Sequence, residues 1–180
     1  PWIVISVSLG IALISSIGAA QLRFSHDPIK WLPDRHSLRN ANQAINDHMK
    51  GSANLELVVR REGENAVKDP EFMNRLEEFN QFAETQTYKD ILIGKSSSIV
   101  DTVKEINQVL NEDQEEYYRV PQDRELIAQE LLLFENGGTD DLENLVDTPF
   151  SQTRITLKST WLDANQFVGL LEQLEPKVNQ

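Results

Sequence analysis

Residues Leu55–Ile93, LELVVRREGENAVKDPEFMNRLEEFNQFAETQTYKDILI, pass from a strand pattern to a helix pattern and back again. Leu55–Arg60 is short and rich in Leu and Val, which predicts a strand over 55–60. Asp69-Pro70-Glu71 then opens a helix. An Asp side chain accepts from orphan amides, Pro has no amide to lose at the first helical position, and Glu suits the positive end of the helix dipole. Phe72, Leu76, Phe79 and Phe82 or Ala83 recur at three- and four-residue spacing, predicting a buried stripe on a helix that reaches Gln86. Asp90–Ile93 (DILI) predicts a second strand within 89–94.

Downstream, Ser98 with Asp101 three residues on is a capping-box start for a helix bearing Val100, Val103, Ile106 and Leu110. The polar run Asn111–Tyr118 breaks that pattern. A further helix is predicted over Gln122–Phe134, with Leu126, Ile127, Leu131 and Phe134, and Asn136-Gly137-Gly138 stops it. Asp140–Val146 predicts a short helix. Thr153–Trp161 predicts a third strand, with Ile155 and Leu157 on one face and Arg154, Thr156 and Lys158 on the other. Asp163 caps a last helix over 163–178, with Phe167, Leu170, Leu171 and Leu174 facing inward. With 99–147 set aside as a helical insertion, the order is βαβ-βα(β). That is an α+β, ferredoxin-like plan whose fourth strand is missing. A ferredoxin-like sheet orders its strands 4-1-3-2, so Leu55–Arg60 is expected to present one unpaired backbone edge.

The start of the chain has a different character. Pro1–Gln21 carries no charged residue, so all 17 basic and 29 acidic side chains, and the net charge of −12, belong to the remainder. Trp2–Ala20 is free of charge, Pro, Asn and Gln, and as a helix it spans roughly 28 Å, close to the hydrocarbon thickness of a bilayer. Trp2 suits the interface, and Ala12, Ser16 and Ala20 form a small-residue face for another helix. Two rivals stand beside a transmembrane helix over 1–21. Gly18-Ala19-Ala20 resembles a signal-peptide cleavage site, but no basic residue precedes Trp2 and the apolar run is long for a signal. A buried helix of a soluble protein is disfavoured by the same length. Residues 22–54 read as a juxtamembrane connector in which Phe24, Pro28, Trp31, Leu32 and Pro33 alternate apolar bodies with turns. Ser37 or Asn40 caps a short helix within it, and Gly51-Ser52 ends that helix.

The acidic balance excludes a strong nucleic-acid binder, which needs a basic stripe to displace counterions, and a polybasic membrane-surface module. The absence of cysteine excludes disulfides and a thiol nucleophile. Gly94-Lys95-Ser96 lacks the upstream glycine of a phosphate loop, since Lys89 stands there, and reads as a solvated turn. His26, His36 and His48 have no metal-ligand spacing, and Asp140, Asp141, Glu143 and Asp147 lack the ligand order of a calcium loop. The expectation is therefore no catalytic residue, no metal and no cofactor.

Taken in order, these motifs resemble a known family. DPIKWLP (Asp27–Pro33), GSANLELVV (Gly51–Val59), KDPEFM (Lys68–Met73) and SSIVDTVKEIN (Ser97–Asn107) precede an RIT strand and an amphipathic helix. The chain resembles membrane helix one and the first extracytoplasmic loop of exporters of the resistance–nodulation–division (RND) superfamily, in the membrane-protein-large-like and hopanoid-lipid branch. The resemblance implies a porter subdomain over 55–180 that lines a path for hydrophobic or lipid-like substrates. It implies the bacterial inner membrane, with residues after about 21 in the periplasm. The implied partners are the remaining membrane helices and the second porter loop of a parent exporter. Proton coupling would lie in later helices. Phe24 and Trp31, where the chain leaves the bilayer, are the substrate-path candidates; interfacial anchoring is the plainer role for such aromatics. The alternative function is a self-contained membrane-anchored periplasmic binding or assembly module, against which the small-residue face of the first helix argues.

Overall fold

The computed structural model describes residues 2–20, 29, 31–89, 91–137, 141–161 and 164–178. In chain order the elements are α1 (Trp2–Ala20), α2 (Ser37–Met49), β1 (Ala53–Arg60), α3 (Pro70–Thr85), β2 (Thr87–Tyr88), β3 (Ile91–Ser97), α4 (Ile99–Leu110), α5 (Arg124–Asn136), α6 (Asp141–Leu145), β4 (Gln152–Ser159) and α7 (Ala164–Val178). Single 3-10 turns at Ala66–Lys68 and Glu115–Tyr117 join them. The chain is thus mixed α+β. Its four strands form one antiparallel sheet in the order β1-β4-β3-β2.

The central strand is β4. Its Leu157 and Ile155 lie opposite Leu55 and Leu57 of β1, and on the other side Leu157 meets Ser96 of β3. Both neighbours run antiparallel to β4, so β1 and β3 are parallel to each other and joined across it by α3. Period-two alternation puts Ile91, Ile93, Ile155 and Leu157 into the core, with Leu55, Leu57 and Val59 packed at its margin. On that face they meet Phe72, Met73, Leu76, Phe79 and Ala83 of α3 and Leu170 and Leu174 of α7. The opposite face carries Asn54, Glu56, Val58, Arg60 and Leu92, all exposed. One face of the sheet is covered and the other is open among the described residues.

Local chemistry explains the element ends. The Asp69 carboxylate accepts from the amides of Glu71 (2.8 Å) and Phe72 (3.3 Å) with Pro70 in the first turn, as the Asp-Pro-Glu motif predicts. Ser98 and Asp101 form the expected capping box, the Ser98 amide donating to Asp101 at 2.8 Å. In the insertion, the buried Asn107 side chain donates to the carbonyls of Tyr117 (2.8 Å) and Arg119 (3.0 Å), tying the polar loop to α4. Asp147 accepts from the amides of Ser151 (2.7 Å) and Gln152 (2.8 Å) and from the Ser151 hydroxyl (2.6 Å), which sets the start of β4.

Four sequence expectations change. Gly94-Lys95-Ser96 is not a solvated turn but part of β3, which continues to Ser97 through a register shift between Ile93 and Lys95. Tertiary contacts override the turn-like composition: the Ser96 amide and hydroxyl donate to Glu84 (2.8 and 3.1 Å), and the hydroxyl also reaches the Asn80 carbonyl. The region 89–94 is likewise not one strand, because Lys89 turns at φ 55° between the short β2 and β3. The helix cap in the connector is His36, whose Nδ1 accepts from the Leu38 amide at 3.2 Å, rather than Ser37 or Asn40. Leu171, expected inward with Leu170 and Leu174, is partly exposed. Asp163 lies outside the described residues.

The end of α2 is locked to the sheet. Lys50 adopts the left-handed conformation, Gly51 follows at φ 134°, and a side chain on Gly51 would collide with the Ser159 backbone. A side chain on Gly94 would collide with Lys50 in the same way. Glycine at these two positions lets the connector approach β3 and β4 backbone to backbone. At the other end of the chain order, α1 is long and apolar enough to cross a membrane.

Candidate functional site

Of the two aromatic residues expected to face a substrate, Phe24 lies outside the described residues. Trp31 stands 69% exposed in a turn closed by the Leu32 amide donating to the Ile29 carbonyl (3.2 Å). Arg39 holds that turn, donating to the Leu32 carbonyl (3.3 Å) and pairing with Asp34 at 2.5 Å. The turn is therefore fixed against the start of α2, with the indole outward. The structure does not place Trp31 in the cleft that runs beneath β1.

That cleft has a volume of about 430 Å3 and lies between β1, α3 and the end of α7. Its floor is apolar, built by Val59, Phe72, Leu76, Phe79, Ile155 and Val178. Its mouth carries Arg60, Arg61, Arg75 and Lys177, with Glu71 as the lining carboxylate. Val178 also lines a smaller hollow of about 250 Å3 with Leu57, Leu171, Leu174 and Glu175. Together the two follow the underside of β1, the end strand of the sheet. The stripe of α3 was legible as core, but the cleft was not, because its cations come from three elements far apart in the chain.

Three of the four cations at the mouth pair with carboxylates, and Arg60 donates to the Gln152 side chain. Arg75 pairs with Glu71 at 2.7 Å, Arg61 with Asp69 at 3.4 Å and Lys177 with Glu78 at 3.5 Å. The Arg61 guanidinium also lies 5.4 Å from the Phe72 ring centroid. These pairs are exposed enough to exchange for a ligand anion at small cost. An apolar trough with a polar, charged mouth suits a molecule with a hydrocarbon body and a polar head.

The insertion holds the strongest electrostatic anomaly. Glu130 of α5 is buried with both carboxylate oxygens unpartnered, and desolvation pushes its pKa up to about 7. Its helix packs against α4 and the 3-10 turn before α3. On that same turn the Lys68 ammonium sits 3.7 Å above the Phe150 ring. Burial lowers its pKa, with Glu135 acting against that and Arg124 with it. Burial acts to raise the pKa of Asp147, but its hydrogen bonds from Ser151 and Gln152 together leave it below the usual carboxylate range.

Among the described residues no three His, Cys, Asp or Glu side chains come together as a metal-holding group. Compared with models of protein families, with curated proteins and with solved structures, the chain has no match.

Proposed function

We propose that the chain is part of a membrane exporter of the RND superfamily, comprising its first membrane helix and the first-loop portion of its periplasmic porter domain. One observation carries this reading. An apolar helix of membrane length is followed by a sheet in which β1 and β3 flank an antiparallel β4 and are joined by α3. That adjacency is the 1-3-2 part of the ferredoxin-like order, and it supports a ferredoxin-like porter unit in which β1 awaits a fourth strand. The order of motifs from Asp27 to Asn107 adds to it. The cleft beneath β1 supports a path for hydrophobic or amphiphilic substrates, because its floor is hydrocarbon and its mouth is charged. In this reading the substrate passes along the cleft chemically unchanged. Proton coupling belongs to other parts of the parent exporter.

In this reading Phe24 and Trp31 mark the passage from the bilayer to the porter domain, on the inner membrane's periplasmic side. Export of an amphiphilic fluorescent dye by the parent exporter carrying Trp31→Ala tests it. Export is expected to fall about fivefold at unchanged protein level, the effect of losing roughly 1 kcal/mol of aromatic contact. A fall in protein level alone makes Trp31 an interfacial anchor instead.

A further inference from the structure

Helix α2 turns its apolar residues the wrong way for a helix on a globular surface. None of its residues is buried. Those that turn inward are Arg39, Asn42 and Asn46, all partly buried, and the Asn46 amide oxygen is buried without a partner. Leu38 and Met49 are 60% and 56% exposed, and Ile45 between them is exposed too. At the helical repeat these three side chains fall within about 40° of one another, with Gln43 and Asp47 on the far side. A surface helix ordinarily does the reverse and sets its apolar stripe against the core. Both ends of α2 are fixed. Arg39 holds the turn before it through the Leu32 carbonyl, and Gly51 seats against the Ser159 backbone.

Position, charge and size select what covers the stripe. The connector between Ala20 and Ser37 is shortened by two turns, closed by the amides of Leu32 and His36, so α2 starts close to the end of a helix of membrane length. Residues 22–50 carry five basic and three acidic side chains, whereas residues 51–180 carry 12 basic and 26 acidic ones. An anionic bilayer surface draws the first segment in and repels the domain behind it. The basic excess is small, so hydrocarbon supplies most of the contact. Three side chains fall far short of the roughly 800 Å2 per partner that a stable protein interface buries. They suffice for a helix that α1 already tethers at the membrane, where the contact is intramolecular.

We propose that α2 is an interfacial helix that lies along an anionic phospholipid surface, with Leu38, Ile45 and Met49 at the boundary of the acyl chains. Such helices sink their apolar face about 5–10 Å into the bilayer. Arg35 and Lys50, both exposed, flank the stripe beside the headgroups. Because Gly51 and Gly94 lock the end of α2 to β4 and β3, the helix sets the height of the sheet above the membrane. The inference rests on α1 crossing the membrane and not on the exporter assignment.

The chain has no cysteine of its own, which makes single-cysteine labelling specific. The 180-residue chain, labelled with an environment-sensitive NBD fluorophore, is placed in nanodiscs of phosphatidylcholine and phosphatidylglycerol. A lipid with a nitroxide near the top of its acyl chain serves as quencher. Leu38→Cys, Ile45→Cys and Met49→Cys are expected to be quenched at least threefold more than Gln43→Cys and Asp47→Cys. Omitting phosphatidylglycerol is expected to lower quenching at the three positions about twofold, and an unchanged value overturns the preference for anionic lipid. Ile11→Cys in α1, read with a nitroxide at the end of the acyl chain, reports the span itself. Equal quenching on both faces of α2, with Ile11→Cys quenched, overturns the proposal and leaves the span intact. Blue-shifted emission at Leu38, Ile45 and Met49 without lipid quenching also overturns it, because protein would then cover the stripe. An unquenched Ile11→Cys overturns the membrane span, and the proposal with it.

Discussion

At pH 8 the Glu130→Met chain melts roughly 6–12 °C above the unsubstituted chain, and most of that gain is gone at pH 4. Glu130 ordinarily titrates near 4.5 and in the fold near 7, because burial without a hydrogen-bond donor penalises the charged form. Between those values the folded chain binds more protons than the unfolded one, so stability falls as pH rises through the window. The full loss, reached above pH 7, is about 3 kcal/mol. Met has similar volume and no charge to bury, so it removes the loss. A small gain remains at pH 4, since the protonated acid also lacks a partner. Asp147 acts in the opposite sense, its contribution being lost as pH falls through its depressed pKa, but it does so equally in both chains. Thermal melting from pH 4 to pH 8 measures the difference. A gain that does not change with pH would mean that the carboxylate is solvated or paired.

The second large effect is expected on β4. Leu157 is 0% exposed and lies between Leu55 and Ser96, so Leu157→Ala leaves a cavity and costs about 3–4 kcal/mol. Leu92→Ala, on the open face and 49% exposed, is expected to cost under about 1 kcal/mol. Denaturant unfolding of the two variants reads the contrast directly. Similar costs would mean that something covers the face on which Leu92, Glu56 and Val58 lie.

How much of this was legible depends on how local each determinant is. The start of α3 was readable because the Asp69 cap, Pro70 and Glu71 act within one turn. The cap of α4 was readable for the same reason, and so was the alternation of Ile155 and Leu157 against Arg154 and Thr156. The extension of β3 through Gly94 was not, because its composition favours a turn, whereas pairing with β4 and the bonds from Ser96 to Glu84 and Asn80 hold it extended. His36 as a cap was missed since Ser37 and Asn40 are better intrinsic caps, while the backbone places the imidazole at the required position. Glu130 and the cleft under β1 belong to the least legible class. A residue's burial there is decided by elements dozens of positions away, and neither periodicity nor charge counts carry that information. Trp31, read from the sequence as a substrate-path candidate or interfacial anchor, is 69% exposed.

Following the reading frame past Gln180 tests the exporter proposal most directly. The proposal predicts a strand able to pair with β1, then further charge-poor hydrophobic spans of about 20 residues and a second extracytoplasmic loop with its own strand-helix-strand order. A stop codon within a few residues of Gln180 would contradict it.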